Sequence, residues 1–531
     1  MVLNKQLGAL PVVAQFCRRL DLAGIVDRLC PMRDLALISH GQVVEALVAN
    51  RLTSPAPMLG VAGWAAAWAV DEVFGIDPDT LNDDRLARTL DAIAPYLDEI
   101  VGSVGAAAIA EFGIDVARLH WDMTSISLFG AYEQIDEEYP APRFGHPKDR
   151  RTDLRQIQAG IAVSGDGGIP VFGKVYDGGA GEVAQVVAAM KSLREIAAAK
   201  DFLLVGDSKL VSYGNLAAMA AAGVAFVAPL AAARVPAGLF ASLDRDTAQP
   251  VDYIAARDTD KAPADRAEYR VFEDRMSING PRKSDPPVTL RRVLVHCSSN
   301  ARGQAAARAL KLERAADDLG RLTRAAGTRH YPTVADVHRR VAEIGKKRRV
   351  AAYLTCVVEA DEGGKPVFSW RWNQAAIDAE AAADGWYALL TSLDPDHADA
   401  TEVLIRYKGQ PVVERRYSDF KGPLAVAPLF LQHNRRITAL IHVICLALLV
   451  FCLIERQVRR ALEPETAMSG FYPGNQKTRP TGRLIFQVLG RLQLVPARHG
   501  LGPQVPLPDR IQTRLLDMLG TDPTRPRWLT P

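Results

Sequence analysis

A chain of 531 residues is longer than one ordinary domain, so two to four units around at least one large core are expected. Its 48% hydrophobic and 24% charged residues exclude a disordered or fibrous protein, and 40 Gly with 33 Pro predict many loops. The net charge of +3 decides nothing alone, but 19 Arg and Lys against 9 Asp and Glu lie from Thr401 to the end, leaving the first 400 residues at −7. That asymmetry suits a polyanion-binding surface and, equally, a solvated basic tail. The six cysteines show no Cys-x-x-Cys spacing, which predicts reduced, buried thiols in a cytoplasmic chain rather than a disulfide framework or zinc site. No basic, apolar, small-residue pattern marks the N-terminus, so no export signal is expected.

Residues 1–100 read as a helical domain. Apolar positions recur from Leu10 to Leu29, and Ser39 caps a helix through Val43, Val44, Ala46, Leu47 and Leu52 that Pro55 and Pro57 stop. A further helix runs from about Asp83 through Leu86, Leu90, Ile93 and Leu97, and Ile76-Asp77-Pro78 reads as a linker between them. Small helical units bind DNA in many proteins and serve as interaction or packing modules in as many others. No helix-turn-helix signature decides between these roles.

Leu119 to Phe129 is rich in β-branched and aromatic residues and ends at Gly130, so it reads as a strand with one carboxylate, Asp122, in its middle. Such an aspartate either lies on the wet face of a half-exposed strand or has a partner, a metal or water beside it. An acidic, Pro-rich loop (Glu133 to Pro147) and a basic patch, Lys148-Asp149-Arg150-Arg151, follow. Ile157 to Val163 and Ile169 to Tyr176 are strand-like runs joined by Gly165-Asp166-Gly167-Gly168, a hairpin signal. A helix from Gly181 to Ala199 leads to the apolar strand Phe202 to Val205, which runs into Asp207; a helix (Leu216 to Ala222) and a strand (Ala225 to Ala228) come next. Three early strands followed by alternating helix and strand imply a mixed sheet with helices on its faces. Two carboxylates on core strands form the beginning of a divalent-cation site, because a hard cation wants oxygen ligands on rigid backbone.

From 229 to about 350 the pattern changes to short strand candidates (Val251 to Ile254, Glu268 to Phe272, Thr289 to His296) and a charged helix, Arg302 to Arg324, as in an insertion between two pieces of one core. Lys346-Lys347-Arg348-Arg349 reads as a phosphate contact or, equally, an exposed turn before a strand at Val350 to Val358. Core-like pattern returns at Asp384 to Ser392. Read as a helix, the block around Pro411 puts Glu414, Tyr417 and Lys421 on one stripe, with Pro411 in the first turn where its missing N–H costs nothing. The 12-residue apolar run Val443 to Ile454 is too short to span a bilayer and predicts a buried core helix. No membrane association is expected.

His120-Trp121-Asp122-Met123-Thr124, Gly206-Asp207-Ser208 and Tyr407 to Lys421, followed by Phe430, Arg435-Arg436-Ile437 and His442, resemble the DDE transposases of bacterial insertion sequences. The resemblance is to the subgroup with a C-terminal signature of tyrosine, arginine, glutamate and lysine, spaced here as Tyr407, Gln410, Glu414 and Lys421, with Gln410 in the arginine's place. It implies an α/β fold: an RNase H-like mixed sheet core flanked by helices, interrupted by a partly β insertion, with an N-terminal helical domain. The domains implied are 1–100 (helical), 115–228 and 351–457 (the two parts of the catalytic core), 229–350 (insertion) and 458–531 (basic C-terminal tail). It further implies cleavage at the ends of a mobile element and joining of the freed 3′ ends to target DNA. Asp122, Asp207 and Glu414 would be catalytic and would bind Mg2+ or Mn2+. Tyr407, Gln410, Arg415, Arg416, Lys421, Arg435 and Arg436 would contact double-stranded DNA, on which a dimer is expected. The alternative is an element-derived protein that binds DNA without cutting it.

Overall fold

Ser39 opens the helix His40–Thr53 with a reciprocal cap. The Gln42 N–H donates to Ser39 Oγ at 3.1 Å, and the Ser39 N–H donates back to Gln42 Oε1 at 2.9 Å. Leu10–Arg19, Leu22–Leu29, Asp83–Ile93 and Leu97–Phe112 complete an N-terminal helical region, the break before the last coming at Pro95. Ile76 is fully buried, so Ile76-Asp77-Pro78 is packed structure and not a linker; its one apolar side chain had a core to enter.

The computed structural model describes residues 4–32, 36–133, 135–197, 201–236, 238–255, 258–496 and 502–524. They fall into two compact units, Met1–Ala225 with Gly409–Pro531, and Phe226–Lys408. In the first unit a two-residue strand, β1 (Lys5–Gln6), pairs with Gln493–Leu494. The main strands are β2 (Arg118–Leu128), β3 (Arg155–Ser164), β4 (Pro170–Tyr176) and β5 (Leu203–Val205). β2 pairs antiparallel with β3, β3 antiparallel with β4, and β2 parallel with β5, giving the order β4-β3-β2-β5. This is a mixed sheet with helices packed on it. Gly105 and Gly173 are two places of close approach. A Cβ on Gly105 would lie 2.6 Å from the Val171 carbonyl oxygen, and one on Gly173 would lie 3.2 Å from Cys445 Sγ.

Cys445 belongs to the helix Asn434–Leu462, which contains the predicted apolar run but is 29 residues long and buried over most of its length. It and the Asp83–Phe112 stretch are each long and apolar enough to cross a membrane, yet the apolar window of Asn434–Leu462 is wholly inside the protein. Its burial against β4 and against the helices His40–Thr53 and Asp83–Ile93 makes it the core of the unit. Five of the six cysteines are buried and all six are free thiols. The 458–531 stretch is no loose tail among its described residues. Gly482–Leu489 and Arg510–Leu519 are amphipathic helices that bury Ile485, Leu489, Leu515 and Leu516, and they follow the 3.6-residue period that lets one face join a core.

The second unit contains β6 (Ala225–Pro229), β7 (Gln249–Val251), β8 (Tyr269–Ile278), β9 (Val288–Cys297), β10 (Leu354–Ala360), β11 (Pro366–Trp372) and β12 (Trp386–Thr391). β6, β12, β9, β8 and β7 pair antiparallel in that order, with Arg291–Glu273 and Arg292–Asp274 ion pairs across β8 and β9. The β10–β11 hairpin packs apart from them, on the helices Ser298–Ala325 and Val334–Arg348, around Leu319, Leu322, Val337, Ile344 and Phe368. Lys346, Lys347 and Arg348 form the last turn of a helix, with both lysines exposed, at the end where cations interact well with the helix dipole. The chain re-enters the first unit at Gly409 and not near residue 351, because β12 hydrogen-bonds to β6 and β9 within the second unit.

Glu455 on the long helix pairs with Arg416, whose side chain is 1% exposed. Glu455→Ala is expected to lower unfolding free energy by about 3–5 kcal/mol, since it leaves an enclosed guanidinium with Asp419 as its one carboxylate among the described residues. Urea denaturation measures this, and a loss under about 1 kcal/mol contradicts it.

Candidate functional site

β5 pairs with only the first three residues of β2, with His120 beside Val205. Two residues further on, the chain carries Asp122 within β2 and Asp207 just past the end of β5, so parallel register brings the two acids to the same level of neighbouring strands. Asp122 is 8% exposed and Asp207 half-buried. Burial pushes the Asp122 carboxyl above the usual aspartate range; the Asp207 charge adds to this, against Lys148 and the Met123 N–H, which pull it down. Lys148 Nζ lies 3.3 Å from Asp122 Oδ1, and the Met123 N–H donates to the same oxygen at 2.8 Å. Asp207 caps the short turn after β5, accepting from the Lys209 N–H at 2.8 Å.

A third carboxylate, Glu182, interacts with this pair by charge. Glu182, the first residue of the helix Glu182–Ile196, has its pKa raised by burial, an effect opposed by its ion pair with Lys209 and reinforced by the charges of Asp207 and Asp122. Burial works against the Lys209 charge, but Glu182, Asp207 and Asp122 together hold its pKa up. Nothing in the sequence separates Glu182 from an ordinary first-turn acid favoured by the helix dipole. Lys148 was legible as part of a basic patch, but its seat on Asp122 was not. That seat is set by the docking of its loop on β2, where the Lys148 N–H donates to Ser125 Oγ (3.0 Å) and Ser127 Oγ donates to Asp149 (2.6 Å).

The helix Pro411–Lys421 lies along β2 beyond the end of β5, with Pro411 at its first position as expected. One stripe satisfies three β2 carbonyls. Gln410 Nε2 donates to Trp121 O (3.2 Å), Tyr417 OH to Asp122 O (2.6 Å) and Lys421 Nζ to Ser125 O (2.7 Å). Glu414 falls on this stripe by spacing, between Gln410 and Tyr417; it is exposed, and no hydrogen bond or ion pair engages it among the described residues. Burial lowers the Lys421 pKa, as does Lys148 nearby.

The predicted DNA contacts separate into groups. Gln410 is buried and pairs with His120 Nδ1 at 3.0 Å while donating to Trp121, a combination of acceptor and donor that an arginine cannot supply. Arg416 turns inward, to the Gly167 and Gly168 carbonyls (2.6 and 2.9 Å), Asp419 (3.2 Å) and Glu455 (2.8 Å). Arg435 and Arg436 both bind Asp91, at 3.0 and 2.7 Å. Arg415 is exposed. Tyr407 belongs to the second unit, its ring 6.5 Å from that of Tyr387.

Carboxylate oxygens are the donors a hard divalent ion prefers, so the chemistry of Asp122, Asp207 and Glu182 fits Mg2+ or Mn2+. Among the described residues, however, no three His, Cys, Asp or Glu side chains are arranged to hold a metal ion. Lys148 and Lys209 are the cations these acids hold.

A family profile described as a domain of unknown function (DUF4277) matches residues 2–100. No curated protein matches the chain. Among solved structures, the chain is similar to a piggyBac transposase in a cryo-EM synaptic complex with hairpin DNA, at 9% sequence identity and a TM-score of 0.38, covering 97% of this chain and 83% of that one. A likeness of that order carries no functional argument.

Because its raised pKa makes the folded protein hold the Asp122 proton more tightly than the unfolded chain does, this carboxyl lowers stability as pH rises above the ordinary value of 3.8. Asp122→Asn should therefore melt higher than the parent at neutral pH, with the difference closing by about pH 4. Added Mn2+ should raise the melting temperature of the parent and not that of the variant. Thermal melts across this range test both; an Asn variant less stable at neutral pH contradicts the charge-burial account.

Proposed function

We propose that this chain is a DDE-type transposase that cuts DNA at the ends of a mobile element and joins the freed 3′ ends to target DNA. The observation that carries the reading is the parallel pairing of β2 with β5, which sets Asp122 beside Asp207 with interacting charges. An RNase H-like core has this arrangement, with one acid on the first main strand, one just after the fourth and one on a late helix. Glu414 on the stripe that covers β2 is the third acid of the proposal. Two divalent ions held by three carboxylates supply activation of a water or 3′-hydroxyl and stabilisation of the leaving oxygen.

The chain's own residues have further roles in this reading. Asp122 and Asp207 are anchored by the Met123 and Lys209 N–H groups, which fix their rotamers. Lys148, half-exposed on Asp122, and Lys421 beside it direct positive charge toward the scissile phosphate. Arg415 is the exposed cation of the helix and contacts the DNA backbone. A dimer on the DNA brings two sites to two element ends. The second reading, a DNA binder that does not cut, is favoured by one fact: the acids are not arranged as a metal-holding trio.

Nicking of a duplex bearing the element's end, with Mg2+ present, separates the two. Asp122→Asn, Asp207→Asn and Glu414→Gln should each lose at least about 100-fold in cleavage while DNA affinity changes little. Severe loss in Glu182→Gln with full activity in Glu414→Gln moves the third role to Glu182. An inactive parent that binds duplex in a salt-dependent way establishes the second reading.

A further inference from the structure

Arg51 is 5% exposed and, among the described residues, has no carboxylate partner. Its Nη1 donates to the Ala425 carbonyl at 3.3 Å, its Nε has no partner, and burial lowers its pKa to about 10. A guanidinium enclosed in this way weakens the fold unless something anionic answers it. It stands in the wall of a cleft of about 710 Å3 formed within the first unit, a volume in the range of small-ligand sites. Arg436 and His433 line the same cleft, and Asp83 is its one carboxylate. Apart from Gln432 the rest of the wall is apolar, and it is open to a ligand: Phe430 is 75% exposed and Leu59 83% exposed. Exposed aromatic surface beside an unanswered buried cation has the two complementary features of a phosphate carried on a planar ring.

We propose that this cleft binds a nucleotide, with its phosphate on Arg51 and its base against Phe430. A free nucleotide and an unpaired unit of a nucleic-acid strand offer the same chemistry. The site lies outside the Asp122–Asp207 cluster and needs no divalent ion, so it stands or falls separately from the proposed strand cleavage. Arg51 is a binding residue in this proposal: among the described residues its one hydrogen bond is the contact to the Ala425 carbonyl.

The test is isothermal titration of the full chain in EDTA with inorganic phosphate, dAMP, a short single-stranded oligonucleotide and a blunt duplex, for the parent and for Arg51→Met, Arg51→Lys and Phe430→Ala. Arg51→Met should weaken nucleotide binding at least about 10-fold, with part of the loss restored in Arg51→Lys. Phe430→Ala should weaken dAMP or oligonucleotide while leaving inorganic phosphate unchanged. The melting temperature of Arg51→Met should equal or exceed the parent's, since an unpaired buried charge has been removed; a purely structural arginine would show the opposite. Binding of dAMP identifies free nucleotide as sufficient, and binding of the oligonucleotide alone assigns the site to a strand; either supports the proposal. No binding by the parent, parent-like binding in Arg51→Met, or phosphate bound as tightly as both nucleotide ligands overturns it.

Discussion

Arg416 joins three parts of the chain that are distant in sequence. Its guanidinium reaches the hairpin carbonyls of Gly167 and Gly168, Asp419 one turn along its own helix, and Glu455 on the long core helix. Burial works against its charge, yet the Glu455 and Asp419 carboxylates around it hold its pKa above the ordinary arginine value. A charge so enclosed has to be answered on every side, and this one is. Once Arg416 is seated, the helix Pro411–Lys421 has one rotational setting about its axis. Gln410, Tyr417 and Lys421 then meet successive carbonyls of β2, and the stripe that includes Glu414 runs along the strand that carries Asp122.

The carboxylates around Asp122 of β2 and the end of β5 present the opposite electrostatic problem. Burial and mutual repulsion disfavour the charge on Asp122 and Glu182, and two lysines relieve it from separate elements. Repelling acids with mobile ammonium partners are a poor way to stabilise a fold and a good way to keep affinity for cations. Lys148 is half-exposed and comes from a loop, so it can leave Asp122 at small cost, whereas the backbone N–H groups on Asp122 and Asp207 stay in place. Anchored acids beside removable cations are the physical content of the proposed site.

The basic surplus after Thr401 proves to be partly internal. Arg416, Arg456 and Arg459 of that stretch bind Glu455 and Asp166, while Arg435 and Arg436 share Asp91 of the N-terminal region. Arg435, Arg436 and Arg456 close the first unit on itself by pairing the late basic stretch with earlier acids, Asp91 and Asp166, so a count of charges overstates what remains for a polyanion. Arg415 and Lys421 differ in kind: the first is exposed, and the second spends one donor on a carbonyl and has two left.

Local pattern was enough to establish the Ser39 cap, the Gly-rich hairpin between β3 and β4, the Pro411 helix start, the strand that carries Asp122 and the strand that runs into Asp207, because each depends on residues within a turn or a strand's length of one another. The resemblance in motif spacing named the acids but could not say which of them would touch. Only tertiary structure decided that Glu182 joins the aspartates, that Gln410 answers His120, that Arg416 turns inward and that residues 351–408 pack with the second unit. Those outcomes depend on partners up to 290 residues away, such as His120 for Gln410, and on which carbonyls a neighbouring strand leaves free. Sequence by itself determined the elements and the chemistry available to them. Burial, which sets the cost of an unpaired charge and so chooses its partner, came only with the packing of those elements against one another.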